Sequence, residues 1–335
     1  MNLFKIVQKR TSKRKQNDSP YQEVGAVLLF VFLLPYVISC LWGHVGEETE
    51  VLAVGMEKET NYLDAQYEVV LSGEWGTRTL TMEEYLIQKL ILVMPIEENG
   101  ISYEGEALKA QAVLLRTEVW KLVETDNKAN ITGYDIRKYD KEINMSPEQM
   151  NLYEEAVHET DGIILSYQGE AIKAAYFTVS NGQTRDAEQV WGSGSYPYLK
   201  TVECKQDILA ENYQSQVCVE KENFYQIMSE TFDVHKQEQI VWGELELCFD
   251  DVGYVTKVKT NDMECSGEAF RYAFGLNSAC FEMEWKEDEV IFHVKGVGHG
   301  FGMSQYGANM QAAEGKRFDE ILENYFFQAE LVKIE

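Results

Sequence analysis

The sequence predicts an α+β fold in which mixed, mostly antiparallel sheets surround a buried helix. Strand-like and helix-like segments follow one another without regular βαβ alternation, which argues against a doubly wound parallel sheet. Residues 105–123 carry apolar side chains at helical spacing and are also apolar or small on the opposite side, as a buried helix requires. With 335 residues, 45% of them hydrophobic, the chain is long enough for two domains or one large one.

The first elements follow from strand-like and helix-like segments and the turn signals between them. The segments YEVVLSG and TRTLTM flank a turn at residues 73–76 and are typical of strands. The periodic segment TMEEYLIQKLILVM predicts a helix that ends at Pro95. A loop around Gly100 separates it from the long helix at residues 105–123.

The later elements are shorter. Between residues 160 and 200, the segments GIILSY and EAIKAAYFTV are typical of strands joined by glycine-rich turns. Residues 240–295 are again strand-like and include ELELCF and VTKVKT. We expect the chain to end in a glycine-rich strand and two helices, near residues 303–314 and 318–327.

The charge of the chain limits its partners. It holds 30 basic and 56 acidic residues, for a net charge of -26. Six of the basic residues fall within the first 15 positions, so the rest of the chain is more acidic still. A surface of that sign repels nucleic-acid phosphates, and we expect no nucleic acid among the partners. The apolar content excludes a disordered, collagen-like or disulfide-scaffold protein.

The amino-terminal region predicts a membrane anchor. A basic tail, residues 1–23, precedes an uncharged stretch, residues 24–42, that matches a hydrocarbon core of roughly 30 Å. The positive-inside rule places the tail in the cytoplasm and everything later outside it. Residues 43–66 resemble a stalk, and residues 67–335 form the folded body, as one unit or as two lobes around a groove. A cleaved signal peptide is an alternative, and a lipobox-like VIS before Cys40, which would make that cysteine a lipidated first residue, is another.

The body of the chain contains five cysteines: Cys204, Cys218, Cys248, Cys265 and Cys280. An odd number leaves at least one thiol unpaired within a monomer. None belongs to a CxxC pair or lies near a histidine at zinc-finger spacing, which disfavours a structural zinc site. We expect core thiols, with one or two disulfides as the alternative.

The helix at residues 105–123 carries an acidic side chain on an apolar face. Its core stripe consists of Leu108, Ala112, Leu115, Val119 and Leu122. At 100° per residue, Glu106 points to the opposite side, which also carries small and apolar residues. Burial there would raise the pKa of the carboxyl, whereas the dipole of the first helical turn would lower it. Glu106 is therefore a working acid, a paired charge or a solvated first-turn residue.

Two basic residues share this helix with Glu106. Lys109 is placed to pair with it or to hold a substrate, and Arg116 lies farther along. For both, a solvated helix edge is the alternative interpretation.

A glycine-rich segment near the carboxyl end is the second candidate site. Glycines recur at every second position, at Gly296, Gly298, Gly300 and Gly302. In a strand they would leave one side bare for another backbone or a ligand, with His299 on the other side. The next helix opens with Ser304, Gln305 and Tyr306, where free N–H groups can receive an oxygen-rich ligand. Tight strand packing is the structural alternative, and no nucleotide-binding glycine motif fits.

A polar turn with a nearby tryptophan is the third candidate. The segment SNGQTRDAEQVWG begins at Ser180, with Trp191 close behind. An indole face matches the C–H face of a pyranose ring, so the turn is a candidate sugar contact, with a core tryptophan as the alternative. The serine has no recognisable histidine and aspartate partners, which argues against a hydrolytic triad.

Two of these segments resemble a known family. EALKAQAVLLRTEVW and GHGFGMSQYGANMQAAEGK closely resemble the two signatures of the SpoIID family of sporulation proteins. The pieces between and around them, from TMEEYLIQKLILVMP to FDEILENYFFQAELVKI, follow in the same order, and the likeness covers residue 67 to the end. The family is known as peptidoglycan lytic transglycosylases, which cut the β-1,4 bond between N-acetylmuramic acid and N-acetylglucosamine.

The resemblance implies roles for individual residues. Glu106 is implied to be catalytic: when protonated it donates to the glycosidic oxygen, and as a carboxylate it takes a proton from the muramic C6 hydroxyl, which closes a 1,6-anhydro ring. This cycle needs a pKa near neutrality, which burial would supply. The candidate substrate contacts are Lys109, Arg116, Ser180, Asn181, Thr184, His299, Ser304, Gln305 and Tyr306.

The resemblance also implies partners and a location. Its implied substrate is peptidoglycan glycan stripped of stem peptides, with the amidase stage II sporulation protein P and stage II sporulation protein M in the same complex. Residues 24–42 would anchor the chain in the mother-cell membrane, facing the septal space during engulfment. No cofactor or metal is expected, because GYDIRKYDKEINMSPEQM lacks the histidine and cysteines with which some members bind zinc.

Departures from the family pattern leave other functions open. The catalytic helix usually continues AART and then an aromatic residue, whereas this chain has LLRT followed by Glu118, an added acid near the site or on its rim. Many relatives have Glu-Met-Pro where this chain has Val93, Met94 and Pro95. The alternatives are a non-catalytic peptidoglycan-binding scaffold that activates a partner amidase, and an ordinary hydrolase.

Overall fold

The computed structural model describes residues 62–95, 103–123, 126–133, 145–232, 241–260 and 263–334. The expected tail, anchor and most of the stalk lie outside these residues, and the division of the chain at residues 43 and 67 stays a prediction. Among the residues described, no helix combines the length and the apolar character needed to cross a membrane. This part of the chain has the expected α+β architecture, and its sheets are mostly antiparallel.

A three-stranded sheet begins the fold. Strands β1 (Glu68–Gly73) and β2 (Gly76–Thr81) form the expected hairpin, and β3 (Lys128–Thr132) pairs in parallel with the other edge of β1. Helix α1 (Met82–Val93) begins directly after β2, because Thr81 caps it in a capping box.

Helix α2 (Gly105–Trp120) runs through the larger hydrophobic cluster, here called the main core, which includes Leu71, Leu86, Leu165, Phe301 and Leu322. Residues on both long sides of it are buried, Leu108 and Leu115 on one and Ala110 and Val113 on the other. The expected burial on two faces is confirmed. The apolar stripe ends earlier than expected, however, since Leu122 lies beyond the helix and is exposed.

Three more helices and one strand pack against α2: α3 (Pro147–His158), α7 (Gln305–Ala313), α8 (Phe318–Tyr325) and β4 (Ile163–Tyr167). Strand β4 is the centre of an antiparallel sheet with β5 (Glu170–Ala171) and β14 (Glu330–Lys333). Short helical segments lie at Asp64–Gln66, Ala187–Trp191 (α4) and Lys205–Leu209.

A second hydrophobic cluster, here called the phenylalanine cluster, lies within residues 214–295. Its elements are β7 (Gln214–Glu220), α5 (Lys221–Phe232), β8 (Glu246–Phe249), β9 (Val255–Lys259), β10 (Glu264–Ser266), α6 (Gly267–Ala273), β11 (Phe281–Trp285) and β12 (Glu289–Lys295). They form the antiparallel sheets β10-β9-β8 and β11-β12-β7. The buried Phe270 ring lies 4.5 Å from the ring of Phe274 and 6.0 Å from that of Phe292, so aromatic packing holds this part together.

Two expected strands differ from the structure. EAIKAAYFTV forms only β5 and β6 (Tyr176–Phe177), with an irregular stretch around Lys173 between them. The glycine-rich segment is not a strand, because its four alternating glycines have φ values from +76° to +115°, in the left-handed region. Only β13 (Met303–Ser304), which pairs in parallel with β6, follows the expected extended course.

The five described cysteines are free thiols. Cys204 and Cys280 are buried, as expected of core thiols, whereas Cys218 is exposed. The alternative of one or two disulfides is therefore wrong for these five residues.

Candidate functional site

Glu106 lies in the first turn of α2, where α8 approaches it. Lys109 Nζ is 2.6 Å from Glu106 Oε1 and also 2.6 Å from Glu159 Oε2, so one lysine bridges two carboxylates. The Phe318 N–H, at the start of α8, donates a hydrogen bond to Glu106 Oε2 over 2.8 Å. The Glu106 carboxylate therefore connects α2 with α8 and, through Lys109, with the residue that follows α3.

These contacts determine the ionisation of Glu106. Burial raises its pKa, but the hydrogen bonds from Lys109 and from the Phe318 N–H, with the charges of Lys109 and Arg317, outweigh that effect. The pKa of Glu106 is consequently lowered, and the ionised form predominates at neutral pH. The expectation that burial holds its pKa near neutrality is wrong, because the side chain is 30% exposed and both of its oxygens accept hydrogen bonds.

Arg116 is buried rather than available to a ligand. Its guanidinium pairs with Asp64 at distances of 2.7–2.9 Å and donates to the backbone oxygens of Val157 and Ile163. The side chain has no exposed surface. The expected substrate contact is corrected to a structural role: Arg116 ties α2 to α3 and β4.

Asp207 connects the polar turn at Ser180 to the start of α7. Its Oδ2 accepts hydrogen bonds from the Ser180 N–H and from the Ser304 hydroxyl, both over 2.6 Å. Ser304 Oγ in turn accepts from the Gly307 N–H and caps α7. Burial raises the pKa of Asp207 against these hydrogen bonds. Ser180 and Ser304 have no exposed surface, so they position their segments and do not face a substrate.

Thr184 and Gln305, two further expected contacts, are also buried. The Thr184 hydroxyl donates to the Lys200 carbonyl over 2.9 Å. The Gln305 amide donates to Gln111 Oε1 on α2 and to the Val93 carbonyl, both over 3.1 Å. These bonds hold the turn and the start of α7 against the main core, and both residues are corrected from substrate contacts to structural ones.

Asn181, Tyr306 and Lys109 keep partial exposure but do not converge. Asn181 donates to the Val252 carbonyl over 2.6 Å and lines a separate depression of about 310 Å³. Tyr306 is half-buried on α7, and its backbone N–H bonds to Thr178. Lys109 is occupied by its two carboxylates.

An open groove, here called the aromatic groove, begins on the surface of the main core and continues between the main core and the phenylalanine cluster. It consists of three adjoining depressions of about 440, 260 and 330 Å³, of which the first two share Lys173 and the last two share Trp191. Exposed rings line it, with Trp191 at 47%, Tyr196 at 36% and Tyr272 at 72% exposure. Lys173 Nζ lies 5.1 Å from the Tyr196 ring and 5.7 Å from the Trp191 ring. Such a surface suits the ring faces of sugars, with one cation at its centre.

Local structure fixes the Trp191 ring in this groove. Asp186 caps α4 by accepting from the Glu188 N–H, and Gly192 ends the helix with a φ of +96°. The indole stacks on Phe301, with the ring centroids 4.3 Å apart. Trp191 is thus a surface ring supported from below, and the alternative of a core tryptophan is wrong.

His299, from the glycine-rich segment, also lines the aromatic groove. Burial lowers the pKa of His299 to about 4, and the charges of Arg271, Arg185 and Lys173 act in the same direction. Its Nδ1 accepts a hydrogen bond from the Phe301 N–H over 3.1 Å, so the neutral ring carries its proton on Nε2. His299 is an uncharged wall residue at neutral pH.

Glu118 also belongs to this groove, although the sequence marked it only as an added acid. It lies in the last turn of α2, and its exposed surface opens into the 440 Å³ depression beside Tyr85, Lys173 and Tyr196. Desolvation by the surrounding walls raises the pKa of Glu118 to about 7, with the charges of Lys89 and Lys173 acting against it. The sequence signal was its place in TEVW, where relatives have an aromatic residue.

Glu106 and Glu118 lie at opposite ends of α2. The rise of an α-helix places them about 18 Å apart along its axis. The aromatic groove meets the end that carries Glu118. Among the described residues, no three His, Cys, Asp or Glu side chains are grouped to hold a metal ion.

Comparison with known proteins identifies the family. The model of the SpoIID family, described as a stage II sporulation protein, matches residues 73–167. The chain is 31% identical over 266 residues to stage II sporulation protein D of Bacillus subtilis (strain 168), with 75% of this chain and 74% of that protein covered. Stage II sporulation protein D of Bacillus amyloliquefaciens is 29% identical over 307 residues, with 85% and 83% covered.

A more distant relative has a different name. The amidase enhancer of Bacillus subtilis (strain 168) is 22% identical over 280 residues, with 68% of this chain and 38% of that protein covered. The alignments with the two stage II sporulation D proteins cover most of this chain and most of each relative. This chain is a sporulation protein and belongs to the SpoIID family.

Proposed function

We propose that this protein is a membrane-anchored lytic transglycosylase that cleaves the bond from N-acetylmuramic acid to N-acetylglucosamine in denuded peptidoglycan during engulfment. The observation that carries the proposal is the aromatic groove in a chain of the SpoIID family. An open groove accommodates a polymer in mid-strand, which an enclosed pocket does not. Its rings offer stacking faces to successive sugars, and Lys173 offers a cation to their carboxylates.

The proposed reaction needs one carboxyl group in two states. The protonated group donates its proton to the glycosidic oxygen as the bond to muramic C1 breaks. The resulting carboxylate takes the proton of the muramic C6 hydroxyl, whose oxygen bonds to C1. The products are a free 4-hydroxyl on one sugar and a 1,6-anhydro ring on the other, without water and without a second carboxylate.

Glu106 stays the residue to which the resemblance assigns this role. Its surroundings favour the ionised state, since Lys109 and the Phe318 N–H both stabilise the carboxylate. The first step requires the opposite state. In this proposal Glu106 must therefore take up a proton before it can donate one to the glycosidic oxygen.

A glycan-binding activator of a partner amidase is the second candidate function. The likeness to a protein named amidase enhancer favours it. In that case the aromatic groove would hold the strand while the partner, of the kind of stage II sporulation protein P, removes stem peptides. Stage II sporulation protein M and a membrane location facing the septal space belong to both versions of the proposal.

Product analysis separates these functions. Purified full-length protein is incubated with denuded glycan strands, and the products are resolved by mass spectrometry. Anhydromuramyl ends are the expected result. New reducing ends would mean hydrolysis, and co-sedimentation with uncut strands would mean a binding module.

A further inference from the structure

Lys173 is held in the aromatic groove by the backbone around it. It belongs to the irregular stretch between β5 and β6, and its two neighbours in the chain, Ile172 and Ala174, are buried. The Lys173 N–H donates a hydrogen bond to the Tyr198 hydroxyl over 2.8 Å. The exposed Lys173 side chain lines two of the three depressions of the groove. Its position is therefore set by contacts of the main core.

Two rings of the groove attract the Lys173 ammonium. Its Nζ lies 5.1 Å from the centroid of the Tyr196 ring and 5.7 Å from that of the Trp191 ring. Cation–π attraction of this kind holds a charge beside a ring without neutralising it. A sugar that stacks on either ring would bring its substituents close to the ammonium.

The charge of Lys173 is not matched by a carboxylate. No acidic side chain in the described part of the chain forms an ion pair with it. Two acids line the same depressions, but Glu268 pairs with Arg271 at 2.9 Å. Desolvation raises the pKa of the other, Glu118, to about 7, so its carboxyl is only partly ionised at neutral pH. Within a chain of net charge -26, this cation is a local site for an anionic group.

The other two lysines of the groove are placed differently. Lys257 lines the third depression and pairs with Glu264 at 2.5 Å. Of the three depressions, Lys121 lines the first, beside Glu118. Lys173 lines two depressions and contacts two rings, so it is the cation best placed to meet a sugar that stacks in the groove.

Resting on the proposed function, we propose that Lys173 selects muramic acid with a free lactyl carboxylate, and so gives the aromatic groove its preference for glycan without stem peptides. The sugar ring stacks on Trp191 or Tyr196 while its carboxylate pairs with the ammonium. A stem peptide is joined to the lactyl carboxyl through an amide, which removes the negative charge at that point. N-acetylglucosamine has no lactyl group and offers its ring face alone.

This selection acts on binding and not on the reacting bond. The depression that contains Lys173 and Glu118 meets the end of α2 that lies about 18 Å along the helix axis from Glu106. The muramic residue that Lys173 selects is therefore a different one from the residue that reacts at Glu106. Loss of Lys173 should raise KM and leave kcat unchanged.

The test measures binding of two matched ligands to full-length protein that carries Glu106→Gln, which prevents cutting during the measurement. The ligands are denuded glycan strands and the same strands with their lactyl carboxylates converted to methyl amides. The parent protein is expected to bind the free carboxylate form at least about fivefold more tightly. Lys173→Met should remove this preference, and Lys173→Arg, which keeps the charge, should retain most of it. Lys221→Met is the matched control and should change nothing, because Lys221 Nζ lies 5.0 Å from the Trp242 ring, outside the groove.

Kinetics with Glu106 intact complete the test. Lys173→Met should raise KM for denuded strands by the factor lost in binding, with kcat within about twofold of wild type. A fall in kcat at unchanged KM would contradict the proposal. Equal binding of the two ligands by the parent protein, or a preference that survives in Lys173→Met, would overturn it as well. If the expected preference is found but wild type releases no anhydromuramyl ends, the transglycosylase function fails while selection by Lys173 stands.

Discussion

Two glutamates on one helix show how surroundings determine ionisation. Glu106 accepts hydrogen bonds from a lysine and a backbone N–H at the positive end of α2, and its pKa is lowered. Glu118 lies at the negative end and lines the 440 Å³ depression, and desolvation raises its pKa to about 7. Both residues are partly accessible, so exposure alone does not distinguish them. The difference comes from the donors around each carboxylate.

Glu106→Gln is expected to destabilise the protein by about 1 kcal/mol at pH 7, since it removes a partly screened ion pair but keeps an acceptor for the Phe318 N–H. Because the folded pKa is lowered, this stability exists above the unfolded pKa and disappears as pH falls through the folded one. Urea unfolding of wild type and Glu106→Gln at pH 7 and at about pH 3 measures the destabilisation and its dependence on pH. A difference that persists unchanged at the lower pH would contradict the ionic origin, and Glu323→Gln, at an exposed position on α8, is the control.

His299 is expected to make the fold sensitive to acid. The pKa of His299 is about 4 in the folded state, below its value in the unfolded chain. Between these two pKa values the unfolded chain binds more protons, so the free energy of unfolding decreases as the pH is lowered. From pH 7.5 to pH 5 the loss is about 2 kcal/mol. His299→Asn keeps an acceptor for the Phe301 N–H and should remove most of this loss in urea unfolding. An equal loss in the variant would assign the acid sensitivity to other groups.

At the scale of residues, the sequence predicted the segments that form the site more accurately than it predicted the role of each side chain. Ser180, Ser304 and Gln305 were expected to face a ligand, yet they are buried and hold backbone and core groups. A motif read along the chain does not reveal which side of it is covered. Asp207 is 97 residues away from Ser304, so their contact has no local signal.

At the scale of elements, helices were more predictable than strands. The periodic apolar pattern of α2 and the proline after α1 predicted both helices closely. The alternating glycines predicted a strand, but each adopts a positive φ and the segment folds into an irregular path against β6 and the Ser180 turn. Alternation signals a strand only where side chains occupy the two faces, and glycine has none.

Gly302→Ala is expected to destabilise the protein by at least about 3 kcal/mol. Its φ is +76°, and an added Cβ would lie 2.0 Å from the Ala175 carbonyl oxygen, so β6 and β13 would have to separate. Gly169→Ala is the matched control, because its φ is +85° but nothing lies within 4 Å of the added Cβ. The control should cost about 1 kcal/mol from backbone strain alone. Equal losses in thermal or urea unfolding would show that the contact with Ala175 is not what requires glycine.

At the scale of the molecule, one arginine connects the parts that form the aromatic groove. Arg185 lies between the rings of Phe301, in the main core, and Tyr254, beside the phenylalanine cluster, with its guanidinium carbon 4.5 and 4.7 Å from their centroids. Its Nε is 2.6 Å from Asp250 Oδ2, and both side chains are only 2% exposed. Arg185 also donates to the His299 carbonyl over 3.2 Å. The groove floor and the phenylalanine cluster therefore depend on the same side chain.

The Arg185–Asp250 pair is expected to behave as a buried ion pair, so that removing either partner alone destabilises the protein. Arg185→Met leaves Asp250 buried without its cation, and Asp250→Asn turns an amide N–H toward the guanidinium, so each should destabilise by about 3–5 kcal/mol. The double variant should lose less than the sum, because neither charge is then left alone. Urea unfolding of the four proteins measures the coupling, and the exposed Lys128–Glu68 pair is the control, with little or no coupling expected because solvent screens it. Glycan binding should fall in both single variants, since Phe301 and His299 lose their support. Strictly additive single effects would mean that stacking on the two rings, and not the ion pair, joins the phenylalanine cluster to the main core.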